Sequence, residues 1–477
     1  MARYFVNNIC GDDANDGLSP GGAFKTLEKA NSITFRPGDA LLLAAGGRWE
    51  GGLAPKGSGA AGAPCAVAPY GAGPRPRIDG CGRVEATVLL QNVEYWEVRG
   101  LEITNEGPER AIRRMGVLAQ LTDYGTARHI VVEDNYVHDV NGSNVKSDGE
   151  FNGGIFWKAG GDSVRSRYIG VTVRNNLIER CDRVGIFCRG MGMRDAWYPM
   201  LDVLVYGNEL HDIGGDGILN IGTDGCIIER NRLIRGRVRD GMYCAGIWPW
   251  SADNTIIRYN EAAGYVGTKD GQGYDCDFNC IGTVHIYNYS HDNDGGYMLV
   301  CTGRGKYVNL PRIMGTNGSR IIRNLSVNDL CRSFHISGPV VGTLLSENCI
   351  YTGAGIDIPC ILISGIGGKS GGPEDVLVTR NIFATRGRLH YSRAGEGFED
   401  GTFEHIDDPA IPGIVYMGNS YLGEHAAKPE DMAPPSYDVS MEQLEEIFLD
   451  KDGRARPGLS TLDDYLSFMG WPLKMQR

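Results

Sequence analysis

The sequence predicts an all-β fold, a right-handed parallel β-helix, and three observations carry that prediction. An asparagine recurs at nine positions, 23 to 41 residues apart, over the middle of the 477-residue chain. The run before each asparagine alternates apolar and polar with period 2 rather than 3.6, as in Val171-Thr-Val-Arg-Asn-Asn176 and Ile227-Ile-Glu-Arg-Asn231, so each unit is built on strands. After each asparagine come a second short strand, a glycine or its equivalent, and a third strand. Three short strands per coil, with turns between, describe a solenoid whose shortest unit is one coil and whose longer units carry loop insertions.

The chain opens with a strand at Tyr4, Phe5 and Val6, a polar Gly/Asp loop over 11–17, and a short helix with Phe24, Leu27 and Ala30 on one face. A turn at Arg36, Pro37, Gly38 and Asp39 leads into the buried strand 40–44. The Gly/Ala/Pro-rich stretch 51–76 reads as loop. The aligned asparagines are Asn135, Asn176, Asn208, Asn231, Asn260, Asn288, Asn324, Asn348 and Asn381. Stacked at one corner, their amides bond each other and satisfy turn backbone groups that burial would otherwise leave unpaired. Past about residue 385 the repeat fades. Ser440 and Gln443 make a capping box for a helix through Phe448, and a second short helix is expected over 460–469. The reading is therefore an N-terminal strand/helix cap with the first coils over 1–80, the β-helix over 81–390, and a C-terminal loop/helix extension over 391–477, all one structural domain. The extension is expected to cap the end of the stack against edge pairing.

Composition narrows the partners. The net charge of −12 argues against nucleic acid and against docking on an anionic membrane. No apolar run approaches the roughly 20 residues of a membrane helix. The N-terminus has no basic region followed by an apolar core, which predicts a cytoplasmic protein, or a secreted one if a leader has been removed. The thirteen cysteines sit mostly inside apolar repeats without paired zinc spacing, so they read as buried free thiols.

The asparagine repeats and the opening (Tyr4-Phe-Val, Gly11-Asp-Asp, Asn15-Asp-Gly, Pro20, Phe24-Lys-Thr-Leu27) resemble the pectate-lyase-like superfamily, and within it the right-handed parallel β-helix repeat proteins of bacteria that act on glycans. The resemblance covers roughly residues 4–390. It implies the fold and a carbohydrate substrate, and it leaves hydrolase, lyase and binding solenoid open.

Candidate chemistry centres on Asp275 and Asp277. Two apart on a strand, they share a face, roughly 6.5–7 Å from each other. Anchoring the third strands on their leading glycines makes an outward strip of Phe156/Lys158, Phe187/Arg189, Leu219/Ile221, Trp248/Trp250, Asp275/Asp277, Met298/Val300 and His335/Ser337. Indoles one coil from a carboxylate pair suit a sugar cleft. The spacing is near the roughly 6.5–9.5 Å of inverting hydrolases, and like charges this close leave one proton in place for a general acid. The bland alternatives are a surface Asp pair and tryptophans covered by a loop near Met242 and Tyr243. Asp216, Asp240, Asp270, Asp292 and Asp294 precede strand-opening glycines, where Asp often caps turns; for Asp216 turn-capping is the expectation, while Asp270, Asp292 and Asp294 lie at the adjoining corner and could supply a third acid or metal oxygens. His291 and His335 are candidates for substrate contact or proton transfer, or satisfied structural histidines. Lys158 and Arg189 suit a uronate carboxylate, or are solvated charges.

The leading expectation is a glycoside hydrolase that needs no cofactor. The runner-up is a lyase using Lys158 or Arg189 as base, with Ca²⁺ on Asp275, Asp277 and Asp292. Against it, the aspartates stand three coils from Arg189, roughly 14 Å along the stack. The third reading is a non-catalytic glycan-binding solenoid.

Overall fold

The computed structural model describes residues 1–149, 151–239, 241, 243–302, 315–364, 372–394, 405–407 and 413–471. Asp240, Met242 and most of the insertion 303–317 lie outside them. The chain divides into two compact units, Met1–Ile227 with Val238–Asp240, and Ile228–Arg237 with Gly241–Arg477. Each is a parallel β-helix built from three ladders.

In the N-terminal unit the first ladder begins with Arg3–Val6 on Ala40–Ala44 and runs through Cys65–Tyr70, Trp96–Arg99, Thr126–Glu133 and Arg167–Arg174 to Met200–Tyr206. The second climbs from Arg48–Glu50 to Glu209–His211. The third stacks Ala86–Gln91, Met115–Thr122, Gly153–Gly160, Val184–Arg189 and Asp216–Ile221. The stretch expected to be loop over 51–76 therefore contains a ladder strand. Its alternation, with Cys65 and Val67 fully buried, is masked by the surrounding Gly, Ala and Pro.

In the C-terminal unit the first ladder runs from Ile256–Arg258 to Ile414–Met417. The second runs from Arg232–Ile234 through Glu261–Ala263, Tyr289–His291, Leu325–Val327 and Cys349–Thr352 to Ser420–Ala426. The third stacks Ile247–Trp250, Gln272–Cys276, Gly296–Cys301, Phe334–Ser337 and Asp357–Ser364. The coils thus continue past residue 390.

The asparagines form the corner ladder. In the N-terminal unit the backbone N–H and Nδ2 of Asn135 both donate to Oδ1 of Asn176, which does the same to Asn208. In the C-terminal unit the chain of bonds runs Asn231, Asn260, Asn288, Asn324, Asn348, Asn381 and then Asn419, a rung that the faded repeat hides. The residue before each rung is left-handed, including Tyr259, Tyr287 and Glu347 with φ of 54°, 57° and 58°. A non-glycine side chain there costs about 1 kcal/mol, and the paired amide bonds, each about 1 kcal/mol net, offset it.

The C-terminal extension differs from its expected place. Its helices, Met441–Phe448 with the Ser440/Gln443 capping box and Leu459–Phe468, lie along the side of the stack. Leu444, Phe448, Leu462 and Tyr465 bury against Tyr289, Leu325, Val327 and Tyr351 of the second ladder. Those strands carry apolar residues on their outer face, so they need a lateral cover. All thirteen cysteines are free thiols, and among the described residues no helix is long and apolar enough to cross a membrane.

Candidate active site

Asp275 sits in the strand Gln272–Cys276, and Asp277 follows its end, where its N–H donates to the carbonyl of Pro249 at 3.2 Å. Ile247 pairs with Tyr274, so Trp248 and Trp250 stand beside Asp275 and Asp277 one coil away. On the other side the glycine-anchored alignment slips by one residue. Asp275 faces Leu299, not Met298, and Leu299 faces His335. A one-residue slip exchanges the two faces of a strand, so Leu299 and Cys301, rather than Met298 and Val300, stand in the columns of the aspartates. The Cys301 thiol donates to Oδ1 of Asp277 at 3.0 Å.

The expected exposed carboxylate pair is in fact unequal. Asp275 is only 3% exposed, its Oδ1 has no hydrogen-bond partner among the described residues, and its Oδ2 is reached only loosely by Gln272 Nε2 at 3.4 Å. Burial, then the charges of Asp277 and Asp270, push its carboxyl well above the usual range, against a smaller opposing pull from Arg332. Asp277 and Asp270 are half-buried and remain open to solvent. The buried Cys301 thiol is pushed up by desolvation and then by Asp277, Asp275 and, among lesser contributors, Asp270, and Asp277 and Asp270 are also the carboxylates whose charges act on Asp275. Trp248 is likewise buried, at 8% exposure, and Trp250 half-buried, so the indoles are not fully exposed platforms.

Two contributors carry no local signal. Arg332, 3% exposed, donates from Nη2 to Gln272 Oε1 at 3.3 Å, and so stands behind Asp275 from 57 residues away. Ser364 bonds His335 Nε2 at 2.6 Å and Ser337 Oγ at 2.7 Å. Burial first, and Arg332 second, hold the His335 imidazole neutral, well below its ordinary pKa.

Other candidates go elsewhere. His291 lies on the second ladder, where it bonds Asp292 at 2.8 Å and Glu261 at 3.1 Å. Glu261 also accepts the N–H of Gly458 from the C-terminal extension, so His291 is part of a lateral clasp and does not join the aspartates. Asp292, its partner, is committed there as well. Asp294 Oδ2 accepts the N–H of Gly267 at 2.8 Å, a turn-capping role. Asp216, expected to cap a turn, opens the strand Asp216–Ile221 and forms a fully buried ion pair with Arg183 at 2.5 Å. Among the described residues no group of three or more His, Cys, Asp and Glu is arranged to hold a metal ion.

In the N-terminal unit Lys158 pairs in register with Arg189. The outward phenylalanines next to them are not exposed. Phe156 and Phe187 are buried under Phe151, whose ring lies 6.3 and 5.5 Å from theirs.

No protein-family model matches the chain. A lacto-N-biosidase of Bifidobacterium longum subsp. longum is 27% identical over 448 residues, spanning 74% of this chain but 27% of the relative. The chain thus covers about a quarter of that relative's length. The crystal structure of a GH136 lacto-N-biosidase from Eubacterium ramulus is similar with a TM-score of 0.64 and 25% identity, over 82% of this chain and 68% of that one. XylC in complex with xylose shares the fold, with a TM-score of 0.53 and 11% identity over 91% and 86% of the two chains.

Proposed function

We propose that the chain is a glycoside hydrolase whose reacting groups are Asp270 and Asp277, with Asp275 behind them as the carboxyl that keeps a proton. The observation that carries this reading is the unequal burial of the aspartates at this strand: Asp275 and Asp277 stand beside Trp248 and Trp250, Asp270 lies just before the strand beside Cys244, and only Asp275 is buried. Glycoside hydrolysis needs two carboxyl groups that touch the sugar, and a group at 3% exposure meets that requirement poorly. The likeness to two lacto-N-biosidases supports a hydrolase over a lyase, and makes lacto-N-biosides the first substrates to test. The inverting expectation rested on the same-strand spacing of Asp275 and Asp277. With Asp270 in the pair that spacing no longer applies, and the anomer released first is read directly by proton NMR.

The test is a set of asparagine variants assayed on a glycan panel for new reducing ends and for the ultraviolet absorbance of an unsaturated product. Asp270→Asn and Asp277→Asn are each expected to lose at least about 10³-fold in kcat. Asp275→Asn is expected to lose about 10-fold and to melt higher at pH 7, because an amide mimics a protonated carboxyl in shape and removes the cost of protonating it. If Asp275→Asn is as dead as Asp277→Asn while Asp270→Asn turns over normally, the acid is Asp275 and the original pair returns. An unsaturated product sinks the hydrolase reading.

A further inference from the structure

The N-terminal unit carries a second feature that the carboxylate chemistry does not use. Lys158 and Arg189 stand on adjacent strands in direct register, so about 4.8 Å separates their backbones. Both are half-buried, and among the described residues neither makes a hydrogen bond or ion pair through its side chain. The Lys158 ammonium lies over the face of Phe151, 4.7 Å from the ring centroid, and burial pulls its pKa down from the ordinary value. Both side chains line an open groove of about 320 Å³ with Thr122, Asp123, Gly160 and Asp162.

Among the described residues the nearby acids make their direct contacts elsewhere. Asp123 spends Oδ1 on the backbone N–H groups of Ser163 and Val164, at 2.7 and 2.8 Å. Glu85, whose charge acts on Lys158, is paired with Arg113 at 2.7 Å. Asp162 is exposed at the groove's rim. Two partly desolvated cations that are hydrogen-bonded to no carboxylate among the described residues carry a standing cost, which an oxyanion held between an ammonium and a planar guanidinium fork relieves.

We infer that Lys158 and Arg189 form a binding site for the anionic substituent, carboxylate or sulfate, of an acidic sugar. The oxyanion bridges the two cations, and the ring lies along the groove floor of Leu121, Ala159 and Gly160. That the ligand is a saccharide rests on the glycan-acting reading; that it is an anion rests on the two cations alone.

The experiment is titration calorimetry on the full chain carrying Asp277→Asn, so that turnover does not consume the ligand. The probes are glucuronate, glucose 6-sulfate, glucose and inorganic sulfate, each at low and at 0.3 M salt. Either or both acidic sugars are expected to bind at least 10-fold tighter than glucose and than inorganic sulfate, to weaken as salt rises, and to fall to the level of glucose in Lys158→Met/Arg189→Met. Preference between glucuronate and glucose 6-sulfate assigns the oxyanion. A double variant with wild-type melting temperature and unchanged affinity overturns the site, as does equal binding of glucose; inorganic sulfate bound as tightly as the sugars overturns the sugar assignment. If no glycan is hydrolysed by the parent chain yet the acidic sugar binds through these residues, the hydrolase reading fails and this one stands.

Discussion

Asp277 is held from two sides. The N–H of Phe278 donates to its Oδ1 at 2.7 Å, and the Cys301 thiol donates to the same oxygen at 3.0 Å. Thr316 fixes the frame beneath, its hydroxyl lying 2.9 and 2.8 Å from the carbonyls of Asp277 and Cys301. Because burial and three nearby carboxylates push the Cys301 thiol up, it stays protonated and stays a donor. Donation to a carboxylate favours its charged form, so Cys301 is a positioning residue for Asp277. Cys301→Ala is expected to cost about 10-fold in kcat and to move the acid limb of the pH–rate profile up by roughly half a unit. Cys301→Ser, which keeps a donor, is expected to restore the limb. A profile that does not move in Cys301→Ala leaves the thiol with packing alone.

At the scale of elements, the C-terminal extension is clasped to the second ladder through Glu261, which accepts from Arg232 Nε at 2.7 Å and Gly458 N–H at 2.8 Å and pairs with His291. For His291 burial works against the charged ring, but Asp292 and Glu261 outweigh it and raise the pKa from 6.5 to about 9. A raised folded-state pKa gives stability that is complete below the unfolded value and lost as pH climbs through the folded one. About 3 kcal/mol is therefore expected to drain away between roughly pH 6.5 and 9. Urea midpoints across that range should fall in the wild type and stay flatter in His291→Gln; parallel curves for the two exclude the clasp. This pairing also shows what the sequence could and could not reveal. The strand Tyr289, Ser290, His291 and its following Asp292 are legible as a coil element, as are the Asn-ended runs and the D-x-D pair, because they are local patterns. What covers each strand is not local. The extension that buries the second ladder's side and the Arg332 behind Asp275 arrive from distant sequence, and the Phe151 that roofs Phe156 and Phe187 comes from the loop before the strand, which no strand periodicity reports. The register at Gly296 is set by how the preceding turn at Asp292, Asn293 and Asp294 closes, and a glycine anchor does not encode that.

Across the whole molecule both units use the same coil grammar, in which each rung's amide completes the backbone of the coil beside it. Solenoid stability is a sum over neighbouring coils, so an interior rung should matter on both sides. Asn324 accepts from the N–H and Nδ2 of Asn288 at 2.8 and 3.0 Å. Its own Nδ2 donates to the carbonyl of His285 at 3.0 Å and to Asn348 Oδ1 at 3.0 Å. Alanine there strands two buried donors and a buried carbonyl beside a left-handed Arg323 (φ 54°) that the ladder holds in place. Each unsatisfied buried group costs about 1–3 kcal/mol, so Asn324→Ala is expected to lose about 4 kcal/mol by equilibrium urea denaturation. Asn324→Asp keeps the acceptor but gives up the donors and places a charge beside Asn348 Oδ1, so it should do no better. The last rung differs, since Asn419 is bonded on its far side to Asp431 rather than to another coil, and Asn419→Ala should cost roughly half as much. Equal and small losses at both positions would mean that strand packing alone holds the coils, and that the amide ladder sets only their register.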